Sequence, residues 1–281
     1  MMKKIAGLTI VMMMVSFSFL WAQNRERIQA WSVEADTLMN HREYEKALDL
    51  YSKIIKESKL KSEDDFMALY NRGLAYFSLG RYDEALQDVN QYIEKYPEQH
   101  ARLLRLYIYQ ELGDHENQLK ELNALVAQGP GNPELLQWRI SVLMEAGKYT
   151  EARKDIRQLL TVNASPELQS YLGLTYYYED KADSALIIFD QVIKTDPSST
   201  QTYLYAASLC IEKEAYDLAL NYANKGLQQE PSNTTLLLYK GIALVENKKL
   251  QEGCRCLTKA FNAGSDEAGD YLKEYCYSTE E

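Results

Sequence analysis

Apolar and small residues fall in this chain at i, i+4 and i+7, in short runs separated by polar breaks, which is the pattern of amphipathic helices and not of strands. The clearest stretch runs from Ala68 to Pro97. Leu69, Gly73 and Tyr76 share one face of a first predicted helix, and Ala85, Val89 and Tyr92 repeat the spacing on a second. Gly80 breaks between them, Asp83 and Glu84 suit the positive end of the second helix, and Pro97 stops it. Gly73 and Ala85 are small because two helices joined by a tight turn must let their backbones approach. Tyr76, Val89 and Tyr92 fill the space beside that crossing.

The arrangement recurs. Positions equivalent to Ala85 fall at Ala47, Ala85, Gln118, Ala152, Ala185, Ala219 and Gly253, at intervals of 38, 33, 34, 33, 34 and 34 residues. This small-large-aromatic signature, closing on proline at a period of about 34, resembles the tetratricopeptide repeat (TPR) family. The resemblance covers Ile28 to Cys276. It implies an all-α, right-handed superhelical solenoid of about seven helical hairpins plus a C-terminal capping helix, with each hairpin burying its apolar face against the next. The repeats are expected near 28–61, 66–98, 99–132, 133–165, 166–199, 200–233 and 234–267, with the cap over 268–281 and residues 23–281 forming one solenoid.

Two repeats depart from the pattern. In the third, Leu106 and Gln118 occupy the small sites, so its helices should cross less closely; in the fourth, Ile140 takes one of them, and Gly129 to Pro133 (GPGNP) separates it from the third. A softer joint is expected there. The long first interval holds ESKLKSEDD, a polar stretch expected to lengthen one connection.

The first residues change the picture. Lys3 and Lys4 precede an apolar run from Ile5 to Leu20, and Ala22 precedes Gln23, the layout of a secretory signal peptide over residues 1–22. The run is short of the roughly 20 residues that span a bilayer. Export to a periplasm or the cell exterior is therefore expected, with no membrane insertion after cleavage. The formal charge is −10. Such a chain repels nucleic-acid phosphates, which excludes nucleic acid as the expected partner.

Candidate chemistry is sparse. His41, His100 and His115 fall in turns or at a helix start, with no two facing one pocket, and no Gly-rich phosphate loop occurs. No catalytic residues, metal or cofactor are expected. Cys210 takes a core-facing aromatic site. Cys254 and Cys256 lie about 200 degrees apart on a helix, so they do not pair with each other. Export favours disulfides, and Cys254 lies toward the final helix, so a Cys254–Cys276 staple of the cap is expected. A thiol-disulfide or metal-dependent activity at these cysteines is the alternative from another class.

The resemblance further implies that the first helices of the hairpins line a concave groove that binds a protein or peptide. The positions it assigns there are Tyr70, Leu74 and Phe77; Leu103 and Tyr107; and Leu174, Tyr177 and Tyr178, with Leu204 beyond. The function expected is a non-enzymatic scaffold or assembly factor. A glycan-binding scaffold is a further alternative, since exposed tyrosines also stack on sugars.

Overall fold

The computed structural model describes residues 22–277, which are helical throughout apart from turns, with no strand among them. The leader expected over residues 1–22 lies outside the described residues except for Ala22, and so do residues 278–281 of the expected cap. The chain forms two compact units that divide between Pro130 and Gly131.

The first unit holds three hairpins. They are α1 (22–40) with α2 (Tyr44–Ser58), α3 (Glu63–Ser78) with α4 (Tyr82–Lys95), and α5 (Gln99–Glu111) with α6 (His115–Gln128). The second unit holds four: α7 (Pro133–Glu145) with α8 (Tyr149–Leu160), α9 (Pro166–Tyr177) with α10 (Ala182–Thr195), α11 (Thr200–Glu212) with α12 (Tyr216–Gln229), and α13 (Thr234–Glu246) with α14 (Leu250–Asn262). A short α15 (Asp266–Tyr271) and one π-helical turn, Leu272–Cys276, close it.

Small residues sit where the helices of a hairpin meet. A Cβ placed on Gly173 would stand 2.4 Å from the Phe189 ring, and one on Gly73 would stand 2.8 Å from Val89. No larger residue fits without moving its neighbour. In the third hairpin, where Leu106 and Gln118 are buried instead, α5 and α6 meet less extensively than α3 and α4.

Every first helix ends in the same way. A residue with positive φ follows it (Arg42, Gly80, Gly113, Gly147, Asp180, Glu214, Lys248). The next N–H then reaches back five residues to a carbonyl, as in Arg81 to Tyr76 at 2.9 Å and Ala215 to Cys210 at 2.8 Å. This left-handed cap satisfies carbonyls that the helix end leaves orphaned. Only three of these seven positions carry glycine. The remaining four hold side chains in a conformation that costs L-residues roughly 1–2 kcal/mol.

The polar stretch after α2 behaves differently from expectation. It does not all lengthen the connection, because Ser62 caps α3 and draws SEDD into the helix. Its hydroxyl accepts from the Asp65 N–H at 3.3 Å, and the Asp65 carboxylate accepts from the Ser62 N–H at 3.0 Å. This reciprocal box satisfies two free donors at the helix start. The turn itself is left to Lys59 and Leu60, both with positive φ.

Arginine and acid pairs link the two helices of three hairpins, sixteen residues apart each time: Arg72 with Asp88, Arg105 with Glu121, and Arg139 with Asp155. The carboxylates are almost fully covered, and in the first and last pairs the guanidinium engages both oxygens at 2.7–2.8 Å. Between hairpins in the second unit, Arg153 of α8 donates to the Thr175 hydroxyl at 3.0 Å and to Glu179 at 2.6 Å, and lies 3.9 Å over the Tyr176 ring. Glu179 also accepts from Lys181 at 2.7 Å and from Thr150 at 2.8 Å. The hydrogen bonds from Lys181, Arg153 and Thr150 hold its carboxyl at about 2 against an ordinary 4.5.

Two outcomes follow for stability. Glu214→Gly and Lys248→Gly relieve left-handed strain and should each raise stability by about 0.5–1 kcal/mol, whereas Gly173→Ala should lower it by about 1–3 kcal/mol; urea unfolding measures all three. The Glu179 carboxyl is lowered by folding, so its contribution is present above pH 4.5 and fades as the pH falls toward about 2. The melting gap between parent and Glu179→Gln should thus be widest above pH 4.5 and close on acidification. A gap that stays constant with pH would show that the carboxylate charge is not what stabilises the joint.

Candidate functional site

The first helices of successive hairpins adjoin one another, α3 against α5 in the first unit and α9 against α11 and α11 against α13 in the second. Side chains pointing away from the second helices therefore form one face in each unit. The expected groove residues belong to these helices, except Tyr178, which caps the end of α9, and they differ in how much surface they offer.

In the first unit, Tyr70 packs against Tyr92, with ring centroids 5.7 Å apart, and edge-on against His100 at 4.6 Å. Burial pushes its phenol above the ordinary range. Phe77 leans on Tyr82 at 5.7 Å, and Leu74 and Leu103 are half-buried. Tyr107 is the most open of the five, 48 % exposed. The groove positions of the first unit are thus largely engaged in packing at their α3 end.

In the second unit, Leu174 is buried, only 5 % exposed, and joins the core of Ala185, Phe189 and Tyr203 rather than the surface. Tyr178 is 54 % exposed and is stacked between Tyr177 at 5.1 Å and Tyr149 at 5.3 Å. The Tyr177 hydroxyl donates to Glu212, and burial together with that carboxylate raises its pKa. Leu204 is half-buried beside this core.

A further concavity lies where none of these residues stand. A groove of about 730 Å³ opens between α7 and α9. Ile140 and Met144 of α7, Leu159 of α8 and Leu168 of α9 form its apolar floor, while Gln137 and Ser141 line the α7 side. Tyr171, 47 % exposed, and Val162, 78 % exposed, stand at its edges with Glu145 and Glu167. The reason is in the register. Gln137, Ser141 and Met144 occupy the positions that Tyr70, Leu74 and Phe77 hold in the second hairpin, and the serine is too short to fill the space a leucine takes. A search for aromatic and aliphatic residues at those positions passes over this hairpin; a search for small or polar replacements in the same register would have found it.

The cysteines at the C-terminal end converge in part. Cys254 on α14 and Cys276 at the end of the π turn have Cα atoms 5.9 Å apart, within the span that a disulfide bridges. Cys256 is half-buried and Cys210 buried. Burial pushes the Cys256 thiol up, and that of Cys210 up to about 11, so neither supplies an appreciable thiolate near neutrality. No group of three or more His, Cys, Asp or Glu side chains that could hold a metal occurs among the described residues. No helix among them is long and apolar enough to cross a membrane.

Comparison with known proteins agrees with this architecture. The profile of the family described as tetratricopeptide repeat matches residues 33–100 and 139–200. ER membrane protein complex subunit 2-A of Xenopus laevis is 21 % identical over 229 residues, covering 79 % of this chain and 75 % of that protein. Among solved structures, a tetratricopeptide repeat protein from Parabacteroides merdae has a TM-score of 0.53 at 18 % identity, over 90 % of this chain and 99 % of its own. The C-terminal part of a TPR repeat-containing protein from Cytophaga hutchinsonii has a TM-score of 0.62 at 19 % identity, over 85 % and 98 %. At such identities these two likenesses speak to fold alone, and the repeated hairpins, their small crossing residues and the profile match together place the chain in the tetratricopeptide repeat family.

Proposed function

We propose that this protein is a non-enzymatic scaffold that holds a peptide or protein segment against the first-helix face of its hairpins, with the groove between α7 and α9 as the principal seat. Proteins of this fold are in general protein-interaction scaffolds. The observation that carries the reading is the groove itself. It is open, apolar at its floor, about 730 Å³ in volume and edged by exposed Tyr171 and Val162. Aromatic and apolar anchors that become desolvated at the centre of a contact supply most of its binding energy. Uncovered apolar surface of this kind on a folded chain marks a partner site.

We further place the protein in a periplasm or outside the cell after cleavage following Ala22, a reading supported by Lys3, Lys4 and the short apolar run behind them. In that setting Cys254 and Cys276 form a disulfide that pins the terminal helix to α14, supported by their 5.9 Å Cα separation.

Ser141→Arg and Gln137→Arg put a long side chain into the groove from exposed helical sites. Both should melt like the parent yet lose crosslinked partners from the native host by about tenfold or more. Retention of the same partners by both variants would remove the groove from consideration. For the staple, peptide mapping without reduction should recover Cys254 joined to Cys276. Closing a loop with a sequence separation of 22 contributes about 3 kcal/mol in the chain-entropy account, which Cys276→Ser should forfeit in urea unfolding. Free thiols at both positions in protein isolated from the cell envelope would refute the bond, and an envelope-bound protein still starting at Met1 would refute cleavage.

A further inference from the structure

Tyrosines gather where α8 begins and along α9, and the hydroxyls of three of them are unengaged. Tyr176 accepts from Arg157 at 2.9 Å and Tyr177 donates to Glu212. The hydroxyls of Tyr149, Tyr171 and Tyr178 form no hydrogen bond among the described residues. Tyr171 and Tyr178 stand seven residues apart, two turns of helix, which puts them on one side of α9 about 10.5 Å apart along its axis. Leu174 lies between them on that side and is buried, so a notch separates the two exposed rings. One wall of the notch is stiff, because Tyr178 is stacked between Tyr177 and Tyr149 with ring planes inclined by only 20° and 17°.

Charge favours neither sign of occupant. From Glu145 to Lys181 the chain carries six acidic and five basic side chains, and Glu212 and Lys213 at the end of α11 add one of each. Glu179 is held by Arg153 and Lys181, and Asp180 by Lys213. A nearly balanced surround of this kind complements a segment without charge.

Resting on the reading of the first-helix faces as a partner surface, we propose that the notch between Tyr171 and Tyr178 docks an uncharged, proline-rich segment of another protein in the polyproline II conformation.

Covering the notch strips water from the three phenols, so the occupant has to return acceptors to them. A polyproline II segment does so. It makes no hydrogen bonds within itself, its carbonyls are free to accept, and its prolines bring no N–H group that needs pairing. It advances about 3.1 Å per residue with three residues per turn, so prolines three apart recur at about 9.3 Å, close to the spacing of the two tyrosines. A helical guest pairs its carbonyls internally and meets the phenols with side chains alone, which lose rotamer freedom on accepting a bond. A strand adds N–H donors, and no sheet edge exists among the described residues to pair them. A saccharide would satisfy the hydroxyls but rests on a bare ring face, and both faces of Tyr178 are already taken by Tyr177 and Tyr149.

The test uses the full chain and three probes: a peptide of four Ala-Pro-Pro repeats, the same peptide with every proline replaced by glutamine, and a β-1,4-linked glucose hexamer. Calorimetry should show the proline peptide binding at least about tenfold tighter than either of the others. Tyr171→Phe combined with Tyr178→Phe keeps both rings and removes only hydroxyls that bond to nothing in the protein. That pair should melt like the parent and lose about tenfold in affinity for the proline peptide. Tyr171→Ala with Tyr178→Ala should lower it further, and where the alanine pair perturbs folding the phenylalanine pair decides alone. Tyr277→Phe, at the exposed C-terminal end, should leave the affinity unaltered.

Equal binding of the proline and glutamine peptides would overturn the proposal. Tighter binding of the glucose hexamer would do the same and make the notch a saccharide site. A proline-peptide affinity that the phenylalanine pair does not lower would place its seat elsewhere and also overturn it. Failure here is separable from failure of the α7–α9 groove, on which Ser141→Arg and Gln137→Arg report through partners captured from the native host. If no probe binds while those variants still lose partners, this proposal falls and the groove stands. If proline binding depends on the tyrosines while the groove variants retain every partner, the groove falls and this proposal stands.

Discussion

A hairpin of two short helices has one apolar face more than it can bury by folding on itself, and that surplus governs this chain. Isolated helices of this length are marginal in water. Each hairpin is therefore stable only where a neighbour covers it. Phe189 illustrates how one residue serves both levels of packing: it fills the crossing left open by Gly173 within its own hairpin and joins Tyr203, Ala206 and Ala207 of the next hairpin in a single core. Interior units can share their faces in this way, but the last unit cannot. α15 and the π turn cover α14 with Ala268 and Leu272, and Asp266, Glu267 and Asp270 face water.

Burial sets the stack, whereas the polar contacts set its register. The three arginine–acid pairs join first to second helix at the same offset of sixteen residues, and their carboxylates are nearly inaccessible. Such pairs are weak evidence for stability, because desolvation consumes most of the attraction. Deleting one member is another matter, since it strands a covered charge at a cost of about 3–5 kcal/mol. A hairpin that slid by one residue would do the same. Phenols act elsewhere: the Tyr51 hydroxyl donates to Asp36 at 2.8 Å, linking α2 to α1, and the Tyr222 hydroxyl donates to Asp190 at 2.8 Å, linking α12 to α10. Both devices penalise misregister, by a charge in one case and by an unpaired hydroxyl in the other.

The helices were legible because a period of 3.6 and a repeat of about 34 residues are written in residue size and polarity alone. Where function was concerned, less was visible. The left-handed caps could be inferred only where glycine marks them, as at Gly80; Asp180, Glu214 and Lys248 adopt the same conformation while carrying side chains that do not announce it. The arginine–acid pairs stand at a constant spacing of sixteen residues, but charged residues on a helix are ordinarily solvated, so the spacing alone does not mark them as covered. The family resemblance assigned Leu174 to the groove, and it is buried in one core with Phe189 and Tyr203 instead. Helical phase gives a direction but not what stands in that direction, which depends on the next hairpin's side chains.

The α7–α9 groove illustrates that dependence and also shows why it can hold its shape. Gln137 and Ser141 leave space where other hairpins place tyrosine and leucine, so apolar packing between these first helices is reduced. A joint weakened in that way would be expected to close over the gap or to loosen. It is tied from the α8 side instead. Thr150, Arg153 and Arg157 of α8 all reach α9 or the turn that follows it, through Glu179, Thr175 and Tyr176, and Arg153 covers the Tyr176 ring as it does so. Directional polar bonds fix the distance between hairpins without filling the space between α7 and α9, which apolar packing could not do, since it gains energy only by closing space. A groove held open by bonds to a third helix needs no rearrangement to admit a guest, and a site organised in advance avoids the ordering cost that a collapsible one would impose on binding.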